Sequence, residues 1–374
     1  MKTQGSPRVV SLLASGTEIV CALGAGRSLV GRSHECHRPS WVRSLPPCTR
    51  PAFDVSGSSG EIDAEVKRRM RTGEPMYHVD AELIDRLEAD VLIAQTHCEV
   101  CAVTADDARR AGGDKGRNVV ALQAGTLSGI YEDIRAVGRA IPSEHSAEDV
   151  VAGLQARIDA VRAATADKAK RRVCVLEWTV PLFVAGNWMP ELLEAANASP
   201  AIAVEGPYSS IASWQHVIDA DPDVMIVAPC GFDLERTALE AAGLESLPGW
   251  DDLRAVHEGN VAFADGNAYF NRSGPTIGDT AEILAEIVHA VGERFYGEAW
   301  LRYDDVRPTA AITRMHARAC ADGASFYTDP ASGYQVMTAD FLRRRGYCCG
   351  NGCRHCPHGS DGARPALREK RVAG

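Results

Sequence analysis

Four cysteines crowd into a short stretch near the end of the chain: Cys348, Cys349, Cys353 and Cys356. A site of four thiolates needs its ligands close together on a sharply turning backbone, and Gly350, Asn351 and Gly352 supply that turn. Zinc accepts such a set, and so does an iron–sulfur cluster. Adjacent Cys348 and Cys349 fit awkwardly on one ion, which makes His355 or His358 an alternative to one of the sulfurs. A second soft-ligand group is Cys98 and Cys101, spaced C-x2-C after His97, with His34 and Cys36 on a neighbouring loop. It suits zinc, copper or a cobalt centre, or a reactive thiol pair. The competing reading is that Cys98 and Cys101 open a helix and pack as small apolar residues.

The aromatic residues form a third set. Trp178, Trp188 and Trp214, with Tyr77, can present flat faces to a planar macrocycle, where a rigid ring buries area at little entropic cost. Glu177 and Arg272 are placed to orient polar groups of a ligand or to pair at the edge of a cleft. Ser15 and Glu18 flank an expected helix start, Ser15-Gly-Thr-Glu18, at which Thr17 reads as the cap. No Ser/His/Asp or paired-carboxylate constellation emerges from spacing, and Gly24-Ala-Gly26 lacks the full phosphate-cradling pattern. Binding is therefore expected ahead of catalysis.

These residues gather only if the fold brings them together. Short apolar runs at residues 8–12, 28–32, 91–95 and 118–122 alternate with helical patterns, as in a parallel sheet wrapped by helices. A long helix is expected over 143–170, capped by Ser143, with Val150, Leu154, Ile158 and Val161 on its apolar face. A second series of strands follows at 173–177, 224–228 and 261–264, closed by a helix over 280–292. The fold class is thus α/β, with two Rossmann-like lobes joined by one helix. Loops leaving the carboxyl ends of parallel strands emerge on one edge, where ligands bind. Those loops carry Ser15, His34, Cys36, Cys98 and Cys101 in the first lobe and Trp178 and Arg272 in the second.

At 374 residues the chain is long enough for two lobes and an appendage, and its 45% hydrophobic and 24% charged residues are those of an ordinary globular protein. The net charge is -10, yet from Phe341 onward eight basic residues face two acidic ones. A solvated basic end on an acidic body makes nucleic acid an unlikely partner class. The start shows no apolar export signal, no membrane span is evident, and clustered thiols suit a reducing compartment, so a cytoplasmic location is expected.

Several motifs carry a resemblance. Val9-Val-Ser-Leu-Leu-Ala-Ser-Gly-Thr-Glu-Ile-Val20, Leu29-Val-Gly-Arg-Ser-His-Glu-Cys36, Glu88-Ala-Asp-Val-Leu-Ile-Ala94, Asp221-Pro-Asp-Val-Met-Ile-Val227 and Asn271-Arg-Ser-Gly-Pro275 resemble the substrate-binding proteins of metal-chelate ABC importers, the vitamin B12-binding kind above all. The resemblance spans residues 7–292. It implies two lobes hinged on a rigid helix, with a cleft for a corrinoid, haem or ferric chelate. It also implies an acidic docking residue on each lobe. Anchored on Ala89-Asp90 and Pro222-Asp223, those positions fall on Glu82 and Gln215, and the missing acid counts against an ABC permease as partner. The stretch from Phe326 to Pro357 resembles a small cysteine-rich domain of uncharacterised function, in part that of oxidoreductase-like proteins, and implies bound metal.

The resulting expectation is an N-terminal lobe over 7–142, a spine over 143–170, a C-terminal lobe over 171–300, a cysteine-rich module over 320–360 and a basic tail over 361–374. The cleft would bind a cobalamin-like corrinoid or other small metal chelate through Ser15, Glu18, His34, Glu35, Cys36, Tyr77, Cys98, Cys101, Glu177, Trp178, Trp188 and Arg272. Two alternatives stand beside it: a metal- or thiol-dependent enzyme using the His/Cys loops, and a metal-dependent interaction module at the basic end.

Overall fold

A computed structural model describes residues 6–96, 103–112, 116–203, 208–330 and 332–358. Cys98 and Cys101, together with His97 and the basic tail beyond residue 358, lie outside the described residues.

The first lobe is built on four parallel strands in the spatial order Leu29–Arg32, Val9–Ser11, Val91–Gln95, Asn118–Leu122. The central strands are buried on both faces, which explains their continuous apolar runs. The second lobe has a seven-stranded sheet in which Arg171–Trp178, Val224–Val227 and Val261–Ala264 run parallel. Antiparallel strands Phe183–Val184 and Trp300–Arg302 flank them.

Between the sheets runs the spine helix Glu144–Thr165. Its buried stripe is Ala147, Val151, Leu154, Ile158, Val161 and Thr165, a three-and-four spacing that places Val151 rather than Val150 against the core. Ser143 makes no capping bond to the helix; its hydroxyl turns back to the Ile141 carbonyl at 3.2 Å. The helix ends before Lys170 because Asn197 donates its amide to the carbonyls of Thr165 and Lys168, satisfying groups that a further turn would have used.

One contiguous apolar core runs from Val9, Ile93 and Ile134 of the first lobe, through Leu154 and Ile158, to Val175, Ile226 and Leu284 of the second. Each sheet carries a separate core on its other face. Helix Tyr303–Ala321 leaves the second lobe and leads to the C-terminal module, and its first turns belong to that lobe, since Tyr303, Val306 and Ala310 sit in the outer core with Trp250 and Phe263. The module adds a hairpin, Phe326–Thr328 with Gln335–Met337, and helix Ala339–Arg345. Among the described residues, no helix is long and apolar enough to cross a membrane.

Candidate functional site

The strand-end loops of both lobes face each other across a cleft of about 710 Å³. The first lobe contributes Ser15 after its first strand, then Ser33, His34 and Glu35 after Leu29–Arg32. Tyr77 arrives on a two-stranded ribbon in which Thr49–Pro51 pairs with Tyr77–Val79, and its ring lies 5.5 Å from that of His34. From the second lobe come Glu177, Trp178, Trp188, Phe232 and Arg272. Eight of the twelve cleft residues expected from sequence therefore line one cavity.

Two others lie outside its lining. Cys36 is 1% exposed, and its thiol is 3.0 Å from the Thr17 hydroxyl. Burial pushes that thiol above its usual range, as expected of a core residue rather than a soft ligand or nucleophile. Thr17 is accordingly no helix cap: the helix Ala14–Ala22 begins earlier, and Thr17 faces Cys36 from inside it. Glu18 accepts from Thr276 at 2.6 Å and ties the first helix of one lobe to the second lobe beneath the cleft. Burial raises its carboxyl, opposed by the nearby Arg272 charge.

The aromatic residues divide between wall and core. Trp178 donates its indole N–H to the carbonyls of Ser59 and Val180, and its ring lies 5.1 Å from Phe232 at the wall. Trp188 is 6% exposed and forms part of the floor. Trp214 packs on Trp250 and donates to the Pro248 carbonyl, so core packing explains it. Glu177 and Arg272 do not pair with each other. Glu177 accepts from Ser209 at 2.7 Å, with burial raising its carboxyl, while Arg272 is held by the carbonyl and side chain of Asn267.

A whole wall went unread in the sequence. Helix Ser59–Thr72 lines the cleft with Ile62, Val66 and Met70, spaced one turn apart. The signal was available: Ser58 and Glu61 form a reciprocal capping box, and the apolar stripe follows it. The start of this helix is fastened to the other lobe. Ser59 donates to Glu240 at 2.9 Å and accepts from Thr179 at 2.9 Å, and Arg236 donates to the Gly57 carbonyl while covering the Phe232 ring.

In the C-terminal module the Cys349 and Cys353 sulfurs are 4.0 Å apart across a turn in which Gly350 and Gly352 have φ of 75° and 62°. The Gly350 N–H points at Cys348 at 3.4 Å, and the Asn351 backbone N–H holds the Cys349 thiol below its usual range. The described cysteines carry no disulfide. Neither histidine offers Nε2 to this turn: that of His355 lies 2.8 Å from the Tyr327 hydroxyl, with the ring stacked on His316 at 3.7 Å, and that of His358 lies 3.1 Å from the Leu342 carbonyl. Among the described residues, no group of three or more His, Cys, Asp or Glu side chains is gathered tightly enough to hold a metal ion.

Two interlocked α/β lobes on one helix, with the cleft at their strand ends, define a class of ligand-binding protein, and the comparisons agree. Residues 9–268 match the family described as periplasmic binding protein, and the chain belongs to that family. Residues 315–361 match a family of unknown function. A curated relative is the ABC transporter substrate-binding lipoprotein YvrC of Bacillus subtilis, itself named as uncharacterized. It is 23% identical over 289 residues, covering 75% of this chain and 80% of the relative.

Among solved structures, a haem-binding periplasmic protein from Pseudomonas aeruginosa matches with a TM-score of 0.59 at 20% identity, covering 80% of this chain and 98% of that one. The vitamin B12-binding protein BtuF of Vibrio cholerae matches with a TM-score of 0.56 at 18% identity, covering 76% and 97%. At these identities the structures establish the shared fold. The family and the lipoprotein relative also correct the expected cytoplasmic location, because periplasmic proteins and substrate-binding lipoproteins work outside the cytoplasm.

Proposed function

We propose that the cleft binds a planar metal chelate of the corrinoid or haem type and presents it to an ABC permease. The observation that carries this reading is the cleft itself, about 710 Å³ and walled by Tyr77, Trp178 and Phe232 from two lobes. Large apolar walls with a few fixed polar groups suit a flat macrocycle with polar edges. Its relatives in fold include proteins named for vitamin B12 and for haem, which supports the same class.

Docking on a permease is compatible with the surface. Glu82 is exposed on the first lobe. On the second, Gln215 donates to Asp219 at 2.8 Å, one helical turn away, so an exposed carboxylate stands beside the position where sequence reading found none. The test is a titration with cobalamin, cobinamide, haem and a ferric hydroxamate, followed by tryptophan quenching and visible absorbance. Saturable quenching by at least one macrocycle is expected, and failure of all of them would remove the reading.

The same proposal assigns the C-terminal module a zinc ion or iron–sulfur cluster on Cys348, Cys349, Cys353 and Cys356. The glycine turn and the short distance between two of the sulfurs support it. With both histidines engaged elsewhere, the four thiols are the donors that remain, and a metal would have to draw them closer together than they stand here.

A further inference from the structure

We propose that Glu177 selects the edge chemistry of the bound macrocycle: its free oxygen accepts a hydrogen bond from a carboxamide at the ring edge, and it turns carboxylate-edged macrocycles away. This inference rests on the cleft reading above and narrows it.

Glu177 sits at the carboxyl end of strand Arg171–Trp178, where Ser209 donates its hydroxyl proton to Oε2 at 2.7 Å. The same hydroxyl oxygen accepts from the Gly186 N–H at 3.0 Å and from the Asn187 side-chain amide at 3.3 Å, so its lone pairs are used and its proton belongs to Glu177. Close approach of two chain segments builds this cradle. A Cβ on Gly186 would collide with the Tyr208 carbonyl, so only glycine lets residues 186 and 208 come this near. Asn187 beside it holds a left-handed backbone, with φ of 52°, a conformation kept only where its surroundings enforce it.

One carboxylate oxygen is thereby fixed and the other is left over. Oε1 has no hydrogen-bond partner among the described residues and is not sealed from solvent, so it opens onto the cleft that Glu177 lines. Burial raises the carboxyl, the Ser209 bond opposes that rise, and no cation stands close enough to add to it. The Lys and Arg side chains of the wall are tied elsewhere: Arg236 to the Gly57 carbonyl, Arg272 to Asn267 and Lys67 to Asp63. Among the described residues, the cleft thus offers a bound macrocycle a spare acceptor at Glu177 and no Lys or Arg without a partner.

A macrocycle lying over Oε1 takes its water away, and a buried acceptor left unsatisfied is costly. A carboxamide answers it with an N–H and brings no charge. A propionate in the same place sets carboxylate against carboxylate, and one of the two would have to take up a proton. An alkyl edge leaves Oε1 bare. Corrinoids carry carboxamides around the ring, whereas the edge of haem is two carboxylates and otherwise hydrocarbon, so this oxygen favours the corrinoid. A site built to receive an N–H discriminates strongly against an analogue that lacks one.

The test follows tryptophan quenching of the full chain by two pairs of chelates: dicyanocobyrinic acid with its all-amide form, and ferric haem with its bis-amide. Within a pair the ring, the metal and the axial positions are the same and only the edge differs. The wild type should bind the amide form roughly tenfold to hundredfold more tightly. Glu177→Gln, which keeps the shape and removes the charge, should bring that ratio to within about threefold of one, chiefly by tightening the carboxylate forms. Glu132→Gln, the same change of charge on the outer surface of the first lobe, should leave the wild-type ratio in place.

Equal affinity within a pair, or a preference for the carboxylate form, would overturn the role of Glu177 and leave the cleft reading standing, and the wild type alone decides this. So would a ratio that survives in Glu177→Gln or falls equally in Glu132→Gln, or quenching by the haem pair with none from either corrin. Absence of quenching with all four chelates would overturn the cleft reading and this inference together.

Discussion

Ser59 shows what one hydroxyl does at this cleft. It is 2% exposed and makes two bonds across the interlobe boundary, accepting from Thr179 and donating to Glu240. Each such bond contributes about 0.5–1.5 kcal/mol net. Because Ser58, its neighbour, is the helix cap, Ser59→Ala should leave helix Ser59–Thr72 folded while loosening its hold on the second lobe. The expected result is association and dissociation of ligand both several-fold faster in stopped-flow quenching, with a smaller change in affinity. Unchanged rates would mean that the helix is not limiting. Residue-level reading of the sequence named His34, Tyr77 and Trp178 as ligand-binding candidates, and all three line the cleft. It grouped Cys36 with them because a core thiol and a ligand thiol look identical in one dimension; in the structure this thiol lies outside the cleft lining, against Thr17.

Elements were more legible than sites. The strands Val91–Gln95 and Val261–Ala264 coincide with their apolar runs, since a strand buried on both faces has little choice of residue, and the edge strand Asn118–Leu122 coincides too, though only Val120 and Leu122 of it are buried. The ribbon of Thr49–Pro51 and Tyr77–Val79 was not legible, because three-residue strands joined through a long excursion leave no periodic signal. Yet that ribbon sets both Thr49 and Tyr77 beside His34.

In the module, the loop of the last cysteines is fastened to helix Tyr303–Ala321 by the stacked pair His316 and His355. His316 accepts the Ala339 N–H at 3.0 Å, which requires Nε2 to be unprotonated. Burial, and next the facing His316, lower His355 to about 4, against an ordinary value of 6.5. Below about 6.5 the unfolded chain takes up a proton that the folded module refuses, so stability present above that pH is lost as pH falls toward about 4. The Tyr327 hydroxyl and the Arg354 guanidinium face the same ring and Asp329 binds Arg354, so this cluster is the part that should loosen. Hydrogen exchange between pH 7 and pH 4.5 should show deprotection of residues 316–358 ahead of the lobes, and His355→Gln should flatten that dependence. Equal protection at both pH values would count against it.

Across the whole molecule, the arrangement of cores decides what unfolds together. The contiguous apolar core crosses the spine, so the two lobes share it, whereas the module's lead helix is anchored through its N-terminal part, by Tyr303, Val306 and Ala310 in the outer core and by the ion pair of Arg314 with Glu245. Leu154→Ala, in the middle of the shared core, should cost about 2–5 kcal/mol and lower the melting of both lobes as one transition. Removing metal from the module should act elsewhere. On the metal reading proposed above, metal–thiolate bonds would offset the chain entropy of a small segment rich in Gly and Arg that buries little apolar area. Chelator added to reduced, metal-loaded protein should therefore expose sites beyond about residue 321 to protease, while the start of Tyr303–Ala321 stays protected within the second lobe and the lobe transition keeps its midpoint. Elemental analysis with visible absorbance on anaerobically prepared protein distinguishes colourless zinc from an absorbing iron–sulfur cluster. Metal-free protein with an equally protected module would show that the fold of this segment does not depend on its cysteines. A lobe midpoint that fell on chelation would show instead that the module and the second lobe fold as one unit through the Tyr303–Ala321 helix.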